Sequence, residues 1–258
     1  MELGIEMCNE TGSEKYRLDS YVCLDLETTG LNPKRDRIIE IGAVRVRQGR
    51  EVNSFSTFVN PGRQLEMRIT ELTGIRDEDL AQAPDISRVL PELLDFLGED
   101  VLVGHRISFD YAFVKKAALD AKRDFQAKGL DTLQMARKYL TEVEKKNLKY
   151  LCRYFQIPHR AHRALDDARA TGQLYEILAG RFGQEEALFC PKPLLCNIKR
   201  DTPATKAQKE QLCRLLQQHK LKLGEEGLPL LDMEKMTRSE TSRLIDQILA
   251  KYGRWKND

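Results

Sequence analysis

The stretch Tyr21-Val-Cys-Leu-Asp-Leu-Glu-Thr-Thr-Gly30 decides how the rest of the chain is read. It opens as a core strand over Tyr21–Glu27. Along a strand, residues i and i+2 point to one face, so Asp25 and Glu27 leave the same side. Two like charges that close repel, and burial raises the cost. A divalent cation removes the conflict, and hard oxygen ligands suit Mg²⁺ or Mn²⁺. A strand end that has reached solvent explains the pair equally, and because Asp-x-Glu is common the pair taken alone favours solvent.

Working outward, Arg37–Arg47 and Glu51–Val59 flank Gln48-Gly49 and read as a hairpin that Asn60-Pro61-Gly62 terminates. Ile86, Val89, Leu90, Leu93, Leu94 and Leu97 recur at helical spacing, and Val101-Leu102-Val103 reads as a short buried strand. Helices are expected at about 108–122, 131–140, 146–155 and 163–181. Hairpin strands followed by strands alternating with helices predict an α/β domain, a mixed sheet with helices packed on it. The expected organisation is a lead-in over 1–19, the α/β domain over 20–183, a linker over 184–202 containing Pro191 and Pro193, and a small helical element over 203–258. That element carries two capping-box signatures, Thr205-Lys-Ala-Gln208 and Thr237-Arg-Ser-Glu240. Each precedes an amphipathic run, the first with Leu212, Leu215 and Leu216, the second with Leu244, Ile245, Ile248, Leu249 and Tyr252.

The 258 residues are 41% hydrophobic and 32% charged, a composition that excludes a disordered or low-complexity chain. Six scattered cysteines are not a disulfide framework at this length, and Cys190-x5-Cys196 is not a zinc spacing. No apolar run is long enough for a bilayer, and residues 1–20 lack the apolar core of a secretory signal. A soluble protein with no membrane partner, in a reducing compartment such as the cytoplasm, is the expectation. The net charge is +2. The stretch 199–222 holds seven basic and two acidic residues. It reads either as an arm that touches phosphates or as a solvated helix face.

Two further acids stand on apolar stripes. On its helix Asp110 shares a face with Phe113, Val114 and Ala117, where an acid needs a partner, a metal or the favourable dipole of a helix N-terminus. Asp167 shares a face with Ala164, Ala168, Thr171 and Leu174, whereas Asp166 is turned about 100° away toward the polar side. His162 lies on the loop leading into that helix, where a surface or capping histidine is the ordinary outcome.

Together these are four inward carboxylates and one histidine, in the order D-x-E, F-D, H-x4-D. The chain here resembles the DEDDh family of 3′→5′ exonucleases, the superfamily of the proofreading epsilon subunit of bacterial DNA polymerase III. The resemblance rests on Leu24–Leu31, Arg37-Ile-Ile-Glu-Ile-Gly-Ala-Val44, Gly104-His-Arg-Ile-Ser-Phe-Asp110 and His162-Arg-Ala-Leu-Asp-Asp-Ala168, and covers residues 20–181. Arg106 stands where the family usually has asparagine.

The resemblance implies an RNase H-like fold with a mixed five-stranded sheet, and a site for two divalent ions, Mg²⁺ or Mn²⁺. It implies that Asp25 bridges both ions, that Glu27 and Asp167 complete the one binding the attacking water, that Asp110 holds the other, and that His162 is the general base. Thr28, Thr29, Gly30, Leu31, His105 and Phe109 are the implied substrate contacts, with Leu31 and Phe109 against the last base. The implied activity releases nucleoside 5′-monophosphates from single-stranded DNA 3′ ends in replication or repair. The alternatives are an exoribonuclease on the same scaffold and a non-catalytic nucleic-acid-binding module, against which the intact set of acids argues. Gln184-Glu-Glu-Ala-Leu-Phe189 has the shape of the sliding-clamp motif of bacterial proofreading subunits, so a polymerase or clamp joins DNA and RNA among the implied partners. Six-residue motifs also match by chance. Thr205-x-x-Gln208 and Met236–Ile245 resemble a short helical element appended to phage and bacterial DNA-transaction proteins.

Overall fold

The computed structural model describes residues 16–184, 186–198, 202–223, 228, 232–233 and 236–253; most of the expected lead-in lies outside them. The chain divides into two compact units, residues 1–198 and 199–258.

The first unit is built on a six-stranded mixed sheet of order β3-β2-β1-β4-β5-β6. Strand β1 is Ser20–Thr28, β2 Ile38–Arg47 and β3 Arg50–Phe58. Gln48 and Gly49 both take positive φ, 51° and 69°, as a two-residue hairpin turn requires. The short helices α1 (Met67–Thr73) and α2 (Asp77–Leu80) follow, then α3 (Ile86–Leu97), which Asp85 caps by accepting from the Ser87 and Arg88 amides. Next come β4 (Leu102–Gly104), α4 (Ile107–Asp120), β5 (Lys128–Asp131), α5 (Thr132–Tyr139), α6 (Leu148–Tyr154) and α7 (Ala164–Phe182). Strands β1, β4 and β5 are parallel; β2 and β3 are antiparallel to their neighbours.

The strand period of two sorts β1 between two cores. Val22, Leu24 and Leu26 face α3 and α4, with Phe113 and Val114 beneath them. Tyr21 and Cys23 face α5, α6 and α7, with Tyr175 and Leu178 above them. Asp25 and Glu27 continue the second series, so the face carrying both acids is the face covered by α7.

The sheet gains one strand over the five expected. Lys192–Pro193 form β6, paired antiparallel to β5, after a one-turn helix α8 (Glu186–Phe189). Residues of the expected linker therefore fold onto the first unit, with Leu194 and Cys196 packed against its core. Phe189, the terminal aromatic of the clamp-like motif, is 1% exposed and stacks on Tyr139 at 5.8 Å between centroids. The ring that would anchor a partner there is already used inside the fold, which removes the basis for a clamp at Gln184–Phe189.

The second unit pairs α9 (Lys206–Gln218) with α10 (Arg238–Tyr252). Both expected capping boxes form, Thr205 with Gln208 and Thr237 with Glu240. Its core gathers Leu212, Leu215, Leu244, Ile245 and Ile248. Among the described residues no helix is long and apolar enough to cross a membrane.

Gly42 of β2 sits opposite Asp25 in the ladder, and a Cβ there would lie 2.1 Å from the Ala164 carbonyl carbon and 2.2 Å from the Leu165 nitrogen. The first turn of α7 thus rests directly on the β2 backbone. Gly42→Ala is expected to push α7 off the sheet and to destabilise the domain by about 1–3 kcal/mol, the ordinary cost of overpacking; an unchanged melting temperature in thermal denaturation would contradict that contact.

Candidate active site

The close approach at Gly42 brings Asp167, in the first turn of α7, to the acidic end of β1. One carboxylate oxygen each from Asp25, Glu27 and Asp167 lies within 4.8 Å of the others. Asp167 is held from two sides. Its Oδ2 accepts from the Arg163 amide at 3.0 Å, and its Oδ1 lies 2.5 Å from His159 Nε2. Asp166 faces outward, 3.8 Å from Arg169, with its side chain 40% exposed. Of the two adjacent aspartates, Asp167 is buried and Asp166 faces solvent.

Asp110 enters from the other side of the sheet. Strand β4 pairs with β1 only at Val22 and Cys23, then turns into α4, so β1 beyond that point has no strand neighbour on this edge. Asp110 Oδ1 accepts from the Leu26 amide at 3.1 Å, between the two acids of β1. It is 4% exposed and Asp167 7%.

Burial is the first cause of the electrostatic strain that follows. It raises the Asp25 carboxyl well above its ordinary range, and the neighbouring charges of Asp110, Asp167, Glu27 and Glu40 raise it further. Glu27 is pushed up to about 8 by burial, then by Asp167 and Glu40. Burial also raises Asp110, against the backbone hydrogen bonds that favour its charged form. Arg163, whose charge favours the ionised form of Glu27, is paired with Glu40 at 2.9 Å. A crowded set of hard oxygen donors with little compensating positive charge fits divalent cations, with Asp25, Glu27, Asp110 and Asp167 as the residues that would hold them.

Two histidines flank the cluster. His162 is at the mouth, 42% exposed, with Nδ1 3.9 Å from Glu27 Oε1. Its φ of 64° is a left-handed conformation that turns the chain just before α7. His159, which the sequence reading passed over, is the one bonded to Asp167, and its side chain is 5% exposed. The available signal was a second histidine three residues before His162, but spacing in a loop does not say which ring turns inward.

The expected substrate contacts divide by what their polar atoms already do. Thr28 Oγ1 donates to the Gly30 carbonyl at 2.7 Å, and Thr29 Oγ1 accepts from Arg63 at 2.6 Å and from the Arg37 amide at 3.0 Å. Both threonines shape the loop. Gly30 packs on Asp36, whose Oδ2 would lie 2.5 Å from a Cβ. Leu31 stands 78% exposed at the loop tip. Phe109 is half-buried against Phe113 at 5.0 Å. His105 corrects the expectation. Its Nε2 bonds the Lys146 carbonyl at 2.8 Å and its Nδ1 lies 2.9 Å from Thr132 Oγ1, so the ring braces the fold and offers no nitrogen to a substrate. Only a donor can face a carbonyl, so Nε2 carries the proton; burial lowers the pKa of the ring, in keeping with a neutral imidazole.

Residues 22–175 match the RNase_T family, described as Exonuclease. The chain belongs to this exonuclease family. The DNA polymerase III epsilon subunit of Aquifex aeolicus is 37% identical over 158 residues, which are 60% of this chain and 78% of that subunit. The DNA polymerase III PolC-type of Clostridium perfringens is 38% identical over 184 residues, 71% of this chain and only 13% of that protein. Among solved structures, Exonuclease X in complex with 5′ overhanging duplex DNA superposes with a TM-score of 0.54 at 24% identity, covering 66% of this chain and 96% of that one. The nuclease domain of 3′hExo, a DEDDh family member bound to rAMP, gives 0.55 at 18%, covering 70% and 97%. These two likenesses establish the RNase H-like exonuclease fold, to which this chain adds its two-helix C-terminal unit.

Two predictions follow from the electrostatics. Between about pH 4.5 and about 8 the folded protein without metal keeps on Glu27 a proton that the unfolded chain has released, so its stability should decline as pH rises through that window. Divalent ions displace that proton, so the melting-temperature gain from Mn²⁺ over EDTA should grow with pH; a gain constant across the window would count against the assignment of Glu27. His159→Ala should weaken Mn²⁺ binding about 10–100-fold, because Asp167 loses its orienting partner. Calorimetric titration of a variant with wild-type circular dichroism measures this, and an unchanged Kd would reduce His159 to loop packing.

Proposed function

We propose that the protein is a metal-dependent 3′→5′ exonuclease that releases nucleoside 5′-monophosphates from DNA 3′ ends, in replication or repair. The observation that carries this reading is the convergence of Asp25, Glu27 and Asp167 on one point, with Asp110 bonded to the main chain between the first two. Divalent ions bound there supply the positive charge that stabilises the attacking and the leaving oxygen of a phosphodiester.

The chain's own residues do the remaining work. Asp25, central to the set, would be shared between the ions. Glu27 and Asp167 would hold the side nearer the solvent-facing His162, and Asp110 the side toward α4. His162 stands where its exposed imidazole can take the proton of the attacking water. Leu31 and Phe109 offer apolar surface to the terminal base, and the Thr28–Gly30 turn lets the backbone come close to it. Duplex ends would have to fray before the last phosphate reached acids this recessed, which favours single-stranded ends. A DNA polymerase is the proposed partner, given the relatives in DNA polymerase III, and the cytoplasm the proposed location.

Asp25→Ala, Asp110→Ala and Asp167→Ala are each expected to remove most hydrolysis while leaving the fold intact, whereas Asp166→Ala retains it. His162→Ala is expected to slow hydrolysis by about 10²–10⁴-fold and to leave metal binding in place. The assay is nucleotide release from 3′-labelled and 5′-labelled single-stranded DNA and RNA with Mg²⁺, Mn²⁺ or EDTA. Release of the 3′ label alone, on DNA and only with metal, is the expected result. A faster rate on RNA would make it an exoribonuclease, and binding without release under all conditions would leave a nucleic-acid-binding module.

A further inference from the structure

We propose that a second nucleic-acid subsite lies beside the carboxylates, in the cleft between the start of α4, α5 and the loop over residues 141–147. There Arg106 and Arg137 take phosphates of the strand upstream of its 3′-terminal nucleotide. The inference rests on the exonuclease reading and adds to it the path of the strand.

The cleft has a volume of about 460 Å³ and is lined by His105, Arg106, Leu133, Arg137, Lys146 and Asn147. No acid lines it. Asp131, at the head of α5, is consumed in holding the wall together: its Oδ1 accepts from the amides of Arg106 at 3.0 Å, Leu133 at 2.9 Å and Gln134 at 3.3 Å. Two arginines near the acidic site are already engaged. Arg163 is paired with Glu40 at 2.9 Å, and Arg63 is held by Thr29 at 2.6 Å and the Arg35 carbonyl at 3.0 Å. Arg106 and Arg137 are exposed, and neither side chain has a carboxylate partner among the described residues. The Arg106 guanidinium lies 5.8 Å from the centroid of the Phe109 ring, one residue before Asp110. The cleft therefore begins where the terminal nucleotide would end.

The wall is also rigid. The His105 ring ties the Lys146 carbonyl to Thr132 at the head of α5, and so fixes three segments that carry Arg106, Arg137 and Lys146. Unpaired guanidinium groups on a fixed wall bind phosphate with little ordering cost. Contacts to phosphate alone carry no base preference, which suits an enzyme that must advance along any sequence.

Arg106 has φ of 86°, a left-handed conformation that asparagine tolerates, so Arg106→Asn removes the charge without straining the turn. The test compares wild type with Arg106→Asn, Arg137→Gln and the double variant. Michaelis parameters are measured with Mn²⁺ on oligothymidylates from a dinucleotide to about twelve nucleotides, at several salt concentrations. The expected result is a KM raised about 3–10-fold per substitution on long substrates, with kcat unchanged and the dinucleotide unaffected. The slope of log kcat/KM against log salt should also fall by about one per charge removed. Equal loss on the dinucleotide, or wild-type KM at every length, would overturn the subsite while leaving the exonuclease reading intact. Absence of hydrolysis by the wild type at every length would instead overturn that reading, and the subsite with it.

Discussion

At Gly42 the backbone of β2 meets the first turn of α7 with no room for a side chain between them. That contact sets the distance between the strand carrying Asp25 and the helix carrying Asp167. Glu40, on the same face of β2, fastens the junction: its Oε2 accepts from the Ala164 amide at 3.3 Å and its Oε1 pairs with Arg163. A helix packed at ordinary sheet–helix separation, with side chains interposed, would leave Asp167 too far from β1 to share a cation. The acidic site is thus a consequence of one position in β2 having no Cβ.

The same contact creates a liability. Four carboxylates gathered in a partly buried pocket repel one another, and burial pushes Asp25, Glu27 and Asp110 toward their protonated forms. Packing elsewhere must hold them there: two apolar cores on opposite faces of the sheet, both of which include residues of β1, β2 and β4. A site strained toward proton uptake is also primed to exchange protons for divalent ions, so the electrostatic cost in the free protein and affinity for metal have one origin.

Polar residues near the acids are not interchangeable in role. Thr28, Thr29 and His105 all stand in or beside the sequence motifs, yet their hydrogen-bonding atoms are occupied within the protein. They keep the loop and the α4–α5 junction stiff, which matters because a pair of reacting groups displaced by a fraction of an ångström loses much of its advantage. Leu31, part of Phe109, His162, Arg106 and Arg137 keep exposed surface, and they are the side chains proposed above to meet a nucleic acid.

Read from residues alone, the chain yields the α/β class, the Gln48-Gly49 hairpin, both C-terminal capping boxes, the shared face of Asp25 and Glu27 and the apolar-stripe positions of Asp110 and Asp167. All of these follow from periods of 2 and 3.6 residues or from turn and cap chemistry, which act within a few residues of chain. Tertiary structure alone decided that His159 meets Asp167, that His105 is a brace, that Phe189 is core and that Lys192–Pro193 adds a strand. Those outcomes depend on loop residues in left-handed conformations, such as His162, and on partners tens of residues away, such as Lys146 for His105 and Tyr139 for Phe189. No local periodicity encodes such pairings, because the free energy that selects them comes from burial and hydrogen bonds available only once the sheet and α7 have closed on each other.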